Sequence, residues 1–204
     1  MTPGGAWHVV IPVKRADAAK SRLATGASRP ALARAIALDT IEAVAACEEV
    51  ERVIVVTDDP EVTREASALD RVACMPEGEP RGLDAAVATG IAAAPAGAPR
   101  AALLGDLPAL RPAELARALS AASAVPQAVV PDAEGAGSTL VTAAPGVSLS
   151  TAFGEDSFAR HTALGHAPLA LPDAPSVHRD VDTPAQLAAA AALGLGPRTR
   201  ALLP

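Results

Sequence analysis

Aromatic residues are nearly missing from this 204-residue chain, which has two Phe, one Trp and no Tyr. With so few rings to stack on unpaired bases, and 17 Lys plus Arg against 23 Asp plus Glu, it lacks both the stacking platform and the basic footprint of a nucleic-acid binder. Cys47 and Cys74 are the only cysteines; they form neither a disulfide framework nor a C-x-x-C pair, so reduced thiols in a cytoplasmic protein are expected. No apolar run reaches the roughly 18 residues of a membrane span, and residues 1–7 lack the basic-then-apolar order of a leader. Also absent are G-x-x-x-x-G-K-[ST], a G-x-G-x-x-G after the first strand, H-E-x-x-H and G-x-S-x-G. P-loop ATPases, dinucleotide-binding dehydrogenases, zincins and α/β-hydrolases are thereby set aside, and His8, His161, His166 and His178 show no zinc-ligand spacing.

Alanine is abundant, at 51 of 204 residues, so the core is built from Ala, Val, Leu and Ile, and Ala-rich faces let helices lie close to a sheet. The length suits one domain. Apolar runs at 8–13, 52–57, 72–75, 101–104 and 128–130 read as strands, and 139–142, 169–171 and 177–180 as shorter ones. Between them, helical spacing or start signals predict helices from about 30 to 44, 60 to 69, 83 to 94, 112 onward, 155 to 164 and 184 to 193. Strands alternating with crossover helices imply a parallel sheet covered on both faces. The rhythm changes after Pro131, dividing the domain into a half of about 1–131 and a substrate-facing extension of about 132–204.

Four groups of residues carry chemistry. Asp106 directly follows an apolar strand, at the sheet edge where ligands of open α/β folds sit, and suits Mg²⁺ as well as it suits a turn or a helix cap. Asp180 and Asp182 are two apart on an extended segment, so both carboxylates can point at one metal, but Asp182 or Thr183 can cap the closing helix, the role expected of Asp182, which leaves Asp180 as the better metal candidate. Lys14, Lys20 and Arg22 occupy a long loop after the first strand; they are either a solvated face or a set of cations neutralising a triphosphate and a departing pyrophosphate. Phe153 to Ser157 ends a loop and begins a helix, offering amides near Gly154 and the Ser157 hydroxyl to an anion, with Arg160 and His161 on the same face and Thr139 as a further hydroxyl.

Six segments occur in one order: Ile11 to Lys14 with Ala19 to Leu23, Gly82 to Ala86, Gly105 to Leu110, Gly137 to Leu140, Phe153 to His161 and Asp180 to Pro184. In these the chain resembles the CofC/FbiD nucleotidyltransferases, over residues 11–184. The resemblance implies a single α/β domain of GT-A-like fold, with a mostly parallel sheet flanked by helices. It implies a guanylyltransferase of coenzyme F-420 biosynthesis that uses GTP and phosphoenolpyruvate, with 2-phospho-L-lactate or 3-phosphoglycerate as alternative acceptors. Mg²⁺ would lie on Asp106 and Asp180, with Asp182 beside them, and Lys14, Lys20 and Asp106 would be catalytic. Lys14, Lys20 and Arg22 would face the triphosphate; Gly82, Leu83 and Asp84 the guanine or ribose; Thr139, Gly154 and Ser157, with Arg160, the phosphoacid. The expected partners are these substrates and a downstream transferase that takes the unstable product; a homodimer is compatible with the sequence.

Asp84 stands where the family has Asn, and Arg15 where Pro is frequent; an ionised Asp accepts hydrogen bonds but donates none, which bears on base preference. A rival on the same fold, a molybdopterin cytidylyl- or guanylyltransferase, carries a Gly-rich first loop, whereas this chain has no glycine between Gly5 and Gly26. A rival of another class is a non-catalytic nucleotide-binding module, for which the clustered carboxylates would be dispensable.

Overall fold

A computed structural model describes residues 6–16 and 29–203. Seven strands form one sheet: β1 (Trp7–Pro12), β2 (Val50–Val56), β3 (Val72–Met75), β4 (Arg100–Leu103), β5 (Gln127–Pro131), β6 (Ser138–Ala143) and β7 (Ala167–Pro168). Their order is β3-β2-β1-β4-β6-β5-β7. All pairings are parallel except those of β6, which runs antiparallel to both β4 and β5.

Alternation along the strands sorts the apolar side chains onto two faces. Val9, Ile11, Val53, Val55, Leu103, Val130 and Leu140 meet helices α1 (Arg29–Ala45), α2 (Pro60–Ala66), α4 (Pro112–Ala122) and α6 (Pro175–His178). Val10, Ile54 and Val56 face the other way, toward α3 (Leu83–Ala93), and Ala102, Val129 and Val141 share that side with Phe153 and Phe158, the latter on α5 (Ser157–Ala163). Both layers are dry, which is why the strands read as continuous apolar runs. At Gly90 of α3 a Cβ would stand 2.4 Å from Val10 Cγ1, so the bare backbone is what lets this helix lie so close to β1.

Two buried aspartates tie distant parts of the chain. Asp59 caps α2, accepts the Ala16 amide at 3.2 Å and pairs with Arg34 at 2.9 Å. Asp39 of α1 accepts the Arg198 and Thr199 amides at 3.1 and 2.7 Å, the first turn of α8 (Pro197–Ala201). A Cβ at Gly196 would lie 2.4 Å from the Asp39 carboxyl carbon, so this seat needs glycine. Leu187 and Ala190 of α7 (Pro184–Leu193) complete a small cluster with Leu32 and Ile36.

The expected strand at 177–180 is instead α6 followed by an extended stretch. Pro175 starts the short helix, and the buried Glu114 carboxylate takes both the Ser176 amide and its hydroxyl at 2.7 Å. The strand expected at 169–171 lies at Ala167–Pro168, with the Leu169 amide adding a bond to Val129 O at 2.9 Å. Helix α5 starts at Ser157 rather than 155, because Gly154 and Asp156 hold positive φ of 111° and 53°. Helix α8 was not anticipated from its short 3.6-residue pattern. Among the described residues, no helix is long and apolar enough to cross a membrane.

Candidate active site

The carboxyl ends of β1 and β4 lie side by side and open onto a cavity of about 960 Å³. A Cβ on Gly105 would stand 3.2 Å from Pro12 O, so glycine lets the two chain segments leave the sheet in contact. Because β6 is antiparallel, its first residue, Ser138, arrives at this same edge, and the 132–137 turn overhangs it. Lys14, Asp106, Gly154, Ser157, Asp180 and Asp182 all line the cavity. Lys20 and Arg22 lie outside the described residues.

The acidic side of the cavity is electrostatically costly. Asp106 Oδ1 and Asp180 Oδ1 are buried and have no hydrogen-bond partner among the described residues. Burial, reinforced by the charges of Asp180 and Asp182, pushes the Asp106 carboxyl up to about 8; burial, with Asp132 and Asp182 next, pushes Asp180 to about 6. Asp182 is exposed and its cap role falls instead to Thr183, whose hydroxyl and backbone form a capping box with Gln186. Carboxylate oxygens without a proton donor, collected at one wall, suit a hard divalent cation bound through oxygen.

Asp132 and Glu134, which sequence reasoning missed, bring carboxylate oxygens within 4.8 Å of one another and of Asp180. Both are already engaged. Asp132 accepts the Ala136 and Gly137 amides at 3.0 and 2.7 Å, closing the turn, while Glu134 pairs with Arg179 at 2.6 Å and accepts from Gln186 at 3.2 Å. Among the described residues, the buried carboxylate oxygens of this cavity without a partner therefore belong to Asp106 and Asp180.

On the opposite wall, Gly154 and the buried Ser157 sit in a segment pinned from several sides. His161, fully buried, accepts the Ala152 amide at Nε2 (2.9 Å), which leaves Nδ1 to carry the proton and donate to Ser138 Oγ at 3.0 Å. Burial, then the neighbouring His166, hold this imidazole down at about 4, so it is neutral. Its ring meets Phe153 edge-on at 4.9 Å.

Three sets of expected residues lie wholly or partly off the cavity lining. Thr139 is fully buried, its hydroxyl donates to Val177 O at 2.7 Å, and it does not line the cavity; strand alternation gives that place to Ser138. Arg160 is exposed and donates to Glu155 O at 3.2 Å, off the cavity wall. Of Gly82, Leu83 and Asp84, only Leu83 reaches the lining; the Asp84 carboxylate accepts the Phe153 amide at 3.0 Å. No local signal in the sequence announces the contacts of Ser138, His161 and Asp84, because each joins separate elements.

A family model described as "Guanylyl transferase CofC like" matches residues 7–189. A phosphoenolpyruvate guanylyltransferase of Streptomyces coelicolor is 52% identical over 204 residues, covering 96% of this chain and 95% of its own. One from Thermomonospora curvata is 51% identical over 201 residues, covering 96% and 88%. Among solved structures, a nucleotidyl transferase of Methanothermobacter thermautotroptrophicus is similar with a TM-score of 0.60 at 18% identity, covering 93% of this chain and 98% of its own. A Mycobacterium tuberculosis protein in complex with manganese gives 0.55 at 18% identity, covering 92% and 98%. At such identity the likeness is one of fold.

Proposed function

The chain belongs to the family of CofC-like guanylyl transferases, and from that premise we infer that it transfers GMP from GTP to phosphoenolpyruvate, releasing pyrophosphate. The observation that carries this reading is the pairing, across one cavity, of the unpartnered Asp106 and Asp180 oxygens with the Gly154 and Ser157 segment.

In the reaction, an oxygen of the acceptor phosphate bonds to the α-phosphorus of GTP while the α–β bridging bond breaks, and its electron pair leaves with pyrophosphate. A phosphate monoester is largely dianionic at neutral pH, with a second pKa near 6, so the nucleophile is ready-made and no protein base is needed. The task of the protein is to hold two anions together. Asp106 and Asp180, with Asp182 beside them, would hold Mg²⁺, which supplies neutralisation of the phosphate charge when bound. Lys14 stands exposed at the cavity wall, close enough to lower the pKa of Asp106, and contributes positive charge toward the triphosphate. Ser157 and the backbone at Gly154 take the acceptor, with the Ser138 hydroxyl fixed behind them by His161. In this arrangement the nucleotide lies over the 1–131 half and the acceptor over the 132–204 half. The product carries a reactive phosphoanhydride, so a transferase must consume it.

Pyrophosphate release from GTP, measured with phosphoenolpyruvate, 2-phospho-L-lactate and 3-phosphoglycerate in separate reactions with Mg²⁺, tests the reading. Release with phosphoenolpyruvate is expected to be fastest. Silence with all three acceptors would rule out the transferase, and a faster rate with either alternative would reassign the acceptor.

A further inference from the structure

Asp84 sits in the first turn of α3, next to the cavity residue Leu83, and its carboxylate accepts the amide of Phe153, a lining residue of the same cavity 69 residues away in sequence. The preceding amide, Ala152, is held by His161. Two successive backbone N–H groups are thus gripped by side chains from different helices, α3 and α5, immediately before Gly154. From there the chain is irregular, with positive φ at Gly154 and Asp156; the Ser157 amide donates back to Gly154 O at 3.2 Å, and the Phe158 amide ties the segment to Ala136 O at 3.1 Å. The Phe153 ring adds a packed anchor beside Val87 of the same helix α3.

We propose that Asp84 is a positioning residue for the acceptor: by holding the Phe153 amide it sets where Gly154 and Ser157 stand on the cavity wall. The proposal rests on the assignment of the phosphoacid to Gly154 and Ser157 above. An ionised carboxylate is well suited to the task, since an amide-to-carboxylate bond is stronger than a neutral one and the start of α3 favours negative charge. An asparagine could present its side-chain oxygen in the same geometry, whereas alanine leaves the Phe153 amide without its partner. The role differs from contact with the guanine in one respect: it acts on the acceptor and leaves the nucleotide indifferent.

The test compares wild type, Asp84→Ala and Asp84→Asn by amide hydrogen exchange at Phe153 and by separate KM values for phosphoenolpyruvate and GTP. Asp84→Ala is expected to expose the Phe153 amide to exchange and to raise the phosphoenolpyruvate KM about tenfold while the GTP KM stays within about twofold. Asp84→Asn is expected to restore both the protection and the acceptor KM. An unchanged acceptor KM in Asp84→Ala, a rise confined to GTP, or an equal rise in both constants overturns the proposal. If the wild-type protein transfers nothing to any phosphoacid, the functional reading falls by itself. The exchange measurement then decides alone, and unchanged protection of Phe153 in Asp84→Ala overturns the proposal.

Discussion

Asp106 and Asp180 each bury one carboxylate oxygen, with no hydrogen-bond partner among the described residues, in the wall of the same cavity. For the protein alone this is unfavourable. Both carboxyls titrate higher in the fold than in an extended chain, Asp106 at about 8 and Asp180 at about 6. Between about pH 4 and these values the folded form keeps protons that the unfolded chain has released, so metal-free stability falls as pH rises through that window. A divalent cation competes with those protons. In thermal melts, metal-free protein is expected to lose Tm from pH 5 to pH 8, and millimolar Mg²⁺ to restore more at pH 8 than at pH 5. Equal restoration at both values would contradict the assignment.

Replacing Asp106 with Asn removes the charge but keeps the shape. Without metal at pH 8 the variant is expected to melt higher than the wild type, by roughly 2–4 °C for each kcal/mol of burial cost removed. Guanylate transfer is expected to be undetectable. Loss of activity together with a gain in stability would separate a functional carboxylate from a structural one.

Ser157→Ala removes a hydroxyl from a buried residue of the cavity lining, on the side proposed to take the acceptor. A hydrogen bond to a charged group is worth about 1.5–3 kcal/mol, so the KM for the phosphoacid is expected to rise about tenfold or more with little change for GTP. Initial-rate kinetics with one substrate varied at a time reads this directly.

His161 titrates at about 4 in the fold against an ordinary value near 6.5. Its contribution to stability is present above pH 6.5 and is lost as pH falls toward 4, because the unfolded chain takes up a proton that the folded one refuses. Urea titrations of His161→Gln are expected to show a shallower loss of stability across that interval than those of the wild type. Parallel curves would refute the neutral, Nδ1-protonated imidazole.

Gly90→Ala reverses an expectation based on helix propensity. Alanine in a helix interior is ordinarily about 0.5–1 kcal/mol better than glycine. Here the added methyl would stand 2.4 Å from Val10 Cγ1, and overpacking of this kind costs roughly 1–3 kcal/mol. Net destabilisation in a denaturant titration is the expected result.

The sequence makes legible what is local or periodic. Val9 to Ile11, Val53 to Val56 and Ala101 to Leu103 are strands because they are buried on both faces, and Asp106 stands out because it comes just after the last of them. Asp180 is recognised by its place in the Asp180-Val-Asp182 spacing. What escapes is whatever depends on direction or on a remote partner. Nothing in residues 138–143 tells that β6 runs against its neighbours, and that reversal decides that its first residues arrive at the cavity edge, where alternation along the strand puts Ser138 and not Thr139 on the lining. Val177 is apolar and β-branched but folds into a one-turn helix, because Glu114, 62 residues before Ser176, captures its start. Asp84 is read more naturally as a ligand for the base than as a partner of Phe153, since only the tertiary fold brings the two together.

Among the described residues, Asp39 waits longest for its side-chain hydrogen-bond partners. The amides of Arg198 and Thr199 lie 159 and 160 residues downstream, so at about 5–20 residues per second a ribosome polymerises this aspartate roughly 8–30 s before it makes them. Until then α1 carries a carboxylate that only water can satisfy, and that flank of the nascent protein stays wet. Closure there is a late event of biogenesis, and a chain stalled before residue 198 would present quality-control factors with an unlatched first helix.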